Sequence, residues 1–335
     1  MKRYIDILLI AVLVSAISCS KTGLMPDTEV QEGQRSYIFF NAEVSQLSVS
    51  KAGLLLDNSL PSDANTAFGV FGYCDGSSLF FAYTNPKDIA QVYRESVDGD
   101  FKYNKLAPWR GAEDDHTFYA FYPYSLYDKV TVSTSPYLSY THPDGNVFED
   151  ILVASKMLTK ASSVDLEFTH ALWALDVEVK NSQTKDSPYD DDQTVDNLTV
   201  SSVELTLTGQ PVKGNIPLSN PKDVTIIETG DKTYKLFESS SLSTDKVLAG
   251  NGGSFSCDPL LLMAVGNITY SIEIGFKNAN GVAYTYEKSA TITKSFEPGH
   301  RYKLLVEKED ATGTFSVKWS VSNWDATVTV PHTFN

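Results

Sequence analysis

The sequence predicts an all-β chain of two β-sandwich domains. Three observations carry this: aromatic and β-branched runs recur along the chain, several alternate apolar with polar residues, and helical periodicity is nearly absent.

The N-terminus comes first. MKRYIDILLIAVLVSAISCS starts with Lys2 and Arg3, runs apolar from Ile7 to Ile17 and ends on small residues, the pattern of a signal peptide over residues 1–18. The apolar run is shorter than the roughly 20 residues of a membrane span. Ser18–Cys19 at its end reads as a bacterial lipobox, with Ala16 standing where Leu is usual. Cys19 is therefore the expected lipidation site, and its acyl chains would hold the protein at a membrane surface. Residues 19–35 are polar and aperiodic and read as a tether. The first strand follows in SYIFFNAEVSQL, where Tyr37, Phe39, Ala42 or Val44, and Leu47 are expected on the core face, with an irregularity near Asn41.

Beyond it lie AFGVFGY, SLFFAYT, HTFYAFYPY and many similar runs, punctuated by Gly, Pro, Asn and Asp. Val203, Leu205 and Leu207 fall on one face, as do Leu175, Val177 and Val179, and both sets should line a sandwich core. Short helical turns are expected only in PKDIAQVYRE (86–95) and THALWAL (169–175). No strand–helix–strand rhythm appears, which disfavours a parallel α/β sheet. The acidic, aperiodic stretch at 181–197 suggests a junction, giving domains 36–185 and 186–335; a long loop inside one domain is the alternative.

The formal charge of −15 repels phosphate backbones, so nucleic acid is not an expected partner. Cys74 and Cys257, the cysteines left after Cys19, cannot form the framework of a disulfide scaffold and are expected as buried or incidental thiols. The five histidines lack metal-ligand spacing, and no nucleophile elbow, phosphate loop or dinucleotide fingerprint is present. No catalytic residue, metal or cofactor is implied. The acidic groups Glu113–Asp115 and Asp190–Asp192 read as solvated loops. In FYAFYPY, adjacent aromatics should divide between core and solvent.

The order of these segments resembles the fimbrillin family, the lipoprotein-derived subunits of type V pili in Gram-negative anaerobes. The resemblance rests on the lipobox at Cys19, SKAG at 50–53, AFGVFGY at 67–73, FYAFYPYS at 118–125, EDILVAS at 149–155, LEFTHALWALDVEV at 166–179, FEPGHRYKLLVE at 296–307 and VKWSVSNWDATVTV at 317–330. In this setting His170 is expected as a core or turn residue, and Trp173, Trp319 and Trp324 as packing anchors.

The resemblance implies transthyretin-like sandwiches, no enzymatic activity, and assembly with other pilus subunits, as a homo- or heteropolymer, by strand exchange. A protease would remove the first strand, here represented by Tyr37, Phe39, Val44 and Leu47, by cutting between Lys51 and Ala52; Arg35 is a second candidate. Arg is usual at the cleavage position, so Lys51 departs from the pattern. The donor strand would come from the C-terminus, around Val328, Val330 and Phe334. The expected location is the outer membrane and the cell-surface fimbrium. The rival expectations are a non-polymerising anchor or tip member, a surface lipoprotein binding a glycan or host receptor, and an envelope hydrolase.

Overall fold

The computed structural model describes residues 37–44, 67–76, 78–81, 89–95, 100–104, 106–111, 114–145, 148–183, 197–240, 246–277, 282–309 and 315–323. Among them the chain is nearly all strand. In order these are β1 (Phe40–Val44), β2 (Phe68–Cys74), β3 (Ser78–Phe81), β4 (Ala90–Tyr93), β5 (Lys102–Tyr103), β6 (His116–Tyr122), β7 (Val130–Thr131), β8 (Tyr137–Thr141), β9 (Leu152–Leu158) and β10 (Val164–His170). There follow β11 (Trp173–Asn181), β12 (Leu198–Pro217), β13 (Thr225–Glu238), β14 (Lys246–Leu248), β15 (Gly253–Ser256), β16 (Leu260–Leu262), β17 (Ile268–Lys277), β18 (Ala283–Ile292), β19 (His300–Lys308) and β20 (Phe315–Asn323). A 3-10 turn at Tyr124–Lys129 is the helical element of the described residues.

Three sheets form. The first runs β1-β10-β9-β6-β2-β4-β5, with β3 on β2. The second runs β15-β11-β19-β20, with β16 on β11, and the third β18-β17-β12-β8-β7, with β13 and β14 on β12. Alternation decides which faces meet. Leu175, Val177 and Val179 of β11 and Val203, Leu205 and Leu207 of β12 are all buried, as expected, and pack with Leu304, Val306, Ile272 and Ile274 between the second and third sheets. The first sheet encloses its own core of Ile38, Phe40, Phe68, Phe81, Phe118 and Phe168.

A third core corrects the expected division of the aromatics. Phe118 and Tyr122 line the inner core, but Phe121 on the other face of β6 is also fully buried, against Val130, Leu138, Ile216 and Met263. Strands β7, β8 and the end of β12 cover what would otherwise be a solvent face. Strand β2 is consequently buried along its whole length. Gly69 is required there: a Cβ would lie 2.2 Å from the Phe121 ring.

β12 reaches two cores because its register slips. A bulge between Leu207 and Gln210, with Gly209 at φ 65°, shifts the alternation, so Leu205 and Leu207 face one core and Ile216 another.

The helical turns are also corrected. Ala90–Tyr93 within PKDIAQVYRE is strand β4, because it pairs with Phe68–Val70 of β2. In THALWAL, β10 ends at His170 and β11 begins at Trp173, leaving a two-residue bend. The expected junction at 185/186 lies outside the described residues. β11, on its N-terminal side, pairs with β15, β16 and β19, so sheet partners change at this bend.

Candidate functional site: the slot of the first strand

β1 is the edge of the first sheet and pairs in parallel with β10, from Phe40 opposite Val164 to Val44 opposite Phe168. The residues just before it attach elsewhere. Ile38 N–H donates to the Ala107 carbonyl at 2.9 Å, and Tyr37 bridges Pro108, beyond the opposite edge of the sheet. The first strand is therefore held by β10 on one side and, just upstream, by the segment that follows edge strand β5, which links the two edges of the sheet.

Tyr103 fastens this link. Its hydroxyl donates to the Ile38 carbonyl at 2.6 Å and accepts from Ala107 N–H at 3.2 Å. On the other side Val164 N–H donates to the Phe39 carbonyl at 2.8 Å. Phe40 points inward, its ring edge-on to those of Phe81, Tyr103 and Phe118 at 5.2, 5.8 and 5.7 Å. Asn41 turns outward and donates to Ser163 and Asp165.

At Tyr37 and Phe39 the expected core face is thus off by one residue, while Ala42 packs against the core as expected. Tyr37 is 44% exposed and Phe39 half-buried, whereas Ile38 and Phe40 are buried. The physical reason is that YIFF is apolar at both parities, so periodicity could not select a face; Phe40 is selected by rings from β3, β5 and β6. The backbone of Val44 lies in β1. Cys19, Arg35, Leu47, Lys51, Ala52, Val328, Val330 and Phe334 lie outside the described residues.

Other polar groups are mainly structural. His170 Nδ1 and Asp150 Oδ1 are 3.0 Å apart with both side chains buried, so EDILVAS and FTHAL are tied to each other. His142 Nε2 meets the Tyr234 hydroxyl at 2.7 Å, and burial, with Lys232 nearby, depresses this imidazole to about 4 despite the opposing effect of Asp144. Trp173 Nε1 donates to the Met263 carbonyl at 2.6 Å, as befits a packing anchor. Cys74 and Cys257 are free, buried thiols. Cys74 lies with Asp75 and Asp114, their ligand atoms within 4.8 Å of one another; burial and both carboxylates raise the thiol.

The outer face of the second sheet carries paired charges. Arg301 donates to both Asp176 oxygens at 2.7 and 3.0 Å, and Lys303 to Glu178 at 2.8 Å. Burial would raise Glu307, but hydrogen bonds from Lys318 at 2.5 Å, Ser182, and Lys180 at 3.4 Å hold it at about 2.

The chain is thus an all-β protein whose first sheet is completed by its first strand and whose later sheets pack face to face. Residues 57–324 match the family model described as fimbrillin-like, and the chain belongs to that family of structural, non-enzymatic proteins. Three solved structures share the fold. A fimbrial protein from Bacteroides vulgatus ATCC 8482 is 14% identical at a TM-score of 0.54, covering 78% of this chain and 94% of its own. A Bacteroides eggerthii DSM 20697 protein assigned to cell adhesion is 12% identical at 0.53, covering 87% and 97%. One from Bacteroides ovatus ATCC 8483 with the same assignment is 13% identical at 0.52, covering 88% and 100%. No curated protein matches the chain.

Proposed function

We propose that this fimbrillin-like protein is a pilus subunit made as a lipoprotein precursor, acylated at Cys19, and assembled at the cell surface by exchange of its first strand. Two transthyretin-like sandwich domains belong to this reading. The observation that carries it is the position of β1: with the residues just before it, it links the two edges of the sheet, yet it connects to β2 only through residues 45–66, which contain Lys51 and Ala52.

A cut there would leave the strand held by non-covalent contacts alone. Its departure would uncover the sites of Ile38 and Phe40, roughly 2–3 kcal/mol of apolar burial each. It would also take the present partners from the Ala107 carbonyl and Val164 N–H, and the Ile38 carbonyl from the Tyr103 hydroxyl, leaving backbone groups ready to accept another strand. The donor would come from a neighbouring subunit, and this chain's own C-terminal region around Val328, Val330 and Phe334 would be the strand it offers to the next subunit. Other pilus subunits are then the partners, with a host or glycan receptor at the adhesive surface.

Lys51, where Arg is usual, favours a second reading: an anchor or tip member that keeps its first strand and caps the fibre. The test is the N-terminus of protein recovered from the cell surface, read together with its oligomeric state. Fibres whose subunits begin at Ala52 support polymerisation, and assembled caps that still begin at Cys19 support the second reading. Fibres built throughout from subunits beginning at Cys19 overturn strand removal.

A further inference from the structure

We propose that the slot of the first strand selects a strand from a different chain, rather than the C-terminal residues of a second copy of this one. This rests on the strand-exchange reading and specifies its partner.

The slot imposes a template. Positions 38, 40 and 42 face inward: Ile38 is fully buried, Phe40 is 3% exposed among three rings, and Ala42 packs half-buried at the margin of the same core. Positions 37, 39 and 41 face outward. A replacement that keeps the present hydrogen bonds runs parallel to β10, donates an N–H to Ala107 and offers carbonyls to Tyr103 and Val164. At alternate residues it must present a bulky aliphatic, an aromatic and a small side chain.

The chain's own residues 324–335, WDATVTVPHTFN, do not supply this order. Threading Val328 and Val330 into positions 38 and 40 leaves a valine where three aromatic edges surround a phenyl ring. Placing Phe334 at position 40 puts the His332 imidazole at the fully buried Ile38 site, where a polar group without a partner is costly. Placing Trp324 there requires Ser322 at position 38, but Ser322 belongs to β20 and pairs with Arg301 of β19. Every in-phase threading thus leaves the aromatic site underfilled, misplaces a polar side chain or dismantles a strand.

The experiment uses the full chain with a sequence-specific protease site inserted between Lys51 and Ala52, cut and left folded. Fluorescent peptides are offered and their uptake followed by anisotropy: residues 36–47, the same with Phe40→Val, residues 326–335, and the same with Val330→Phe. The expected result is uptake of the 36–47 peptide and a loss of about tenfold to a hundredfold in affinity with Phe40→Val. The 326–335 peptide should bind no better than that variant, and Val330→Phe should regain at least part of the loss. Equal affinity of the 326–335 and 36–47 peptides, or no effect of Phe40→Val, overturns the selectivity while leaving strand exchange intact. Uptake is read in mild urea, where departure of a labelled 1–51 fragment is followed in parallel; failure of all four peptides to enter the vacated slot, or a fragment that never departs from the folded chain, overturns strand exchange and this proposal together.

Discussion

β1 and β19 are both parallel to a strand distant in sequence, but they are held in different ways. β19 lies between β11 and β20, paired on both edges, with Tyr302, Leu304 and Val306 in the core and Arg301, Lys303 and Glu307 in ion pairs outside. β1 is a short edge strand with β10 on one side; its other attachment is made upstream, by Ile38 to Ala107 and Tyr103. A strand locked on both edges is part of the permanent fold. One that closes a sheet through a few inward side chains is, on the proposed reading, the strand that is exchanged.

The largest break in this comparison should come from Phe40→Ala, which removes the ring from among Phe81, Tyr103 and Phe118. We expect a loss of about 3–5 kcal/mol in urea unfolding. Loss of protection at Ile38 and Val164 in hydrogen exchange should accompany it, while β19 amides change little.

A second break is pH. The folded-state pKa of His142, at about 4, lies below the ordinary 6.5, so the unfolded chain takes up the proton first. Stability from this group is complete above pH 6.5 and is lost as pH falls towards 4, by up to about 3 kcal/mol. His142→Gln should flatten that part of the stability–pH curve; an unchanged slope would remove His142 as its source.

Gly69→Ala sharpens the contrast from the permanent side, because the new methyl meets the Phe121 ring where two cores adjoin. A cost of about 1–3 kcal/mol is expected from thermal unfolding, without selective loosening of β1. The smallest effect belongs to Lys303→Ala. Its ammonium pairs with Glu178 but the side chain is 44% exposed, so the change should stay below about 1 kcal/mol and shrink further in salt.

The difference between the regions was only partly legible in the sequence. Val203, Leu205 and Leu207 alternate with polar neighbours, and the structure buries all three. YIFF carries no such contrast, and its inward face is set by rings far away in the chain. The covered outer face of β6 was invisible for the same reason, since β7, β8 and β12 arrive from later segments. Lys303 and Glu178 each sit at an outward position, but only the parallel register of β11 with β19 makes them neighbours. The closure by Tyr103 had no local signal, because it joins a phenol to a backbone carbonyl 65 residues earlier.

The most direct test of a separable first strand is stepwise unfolding of the full chain cut between Lys51 and Ala52. Release of residues 1–51 is followed by a label on that fragment, and the rest by hydrogen exchange of β11, β12 and β19. The account predicts that rising urea frees the fragment while those strands stay protected, and that added 36–47 peptide restores the closed state. Loss of the fragment and of β19 protection in one concerted transition, with no rescue by the peptide, would contradict it.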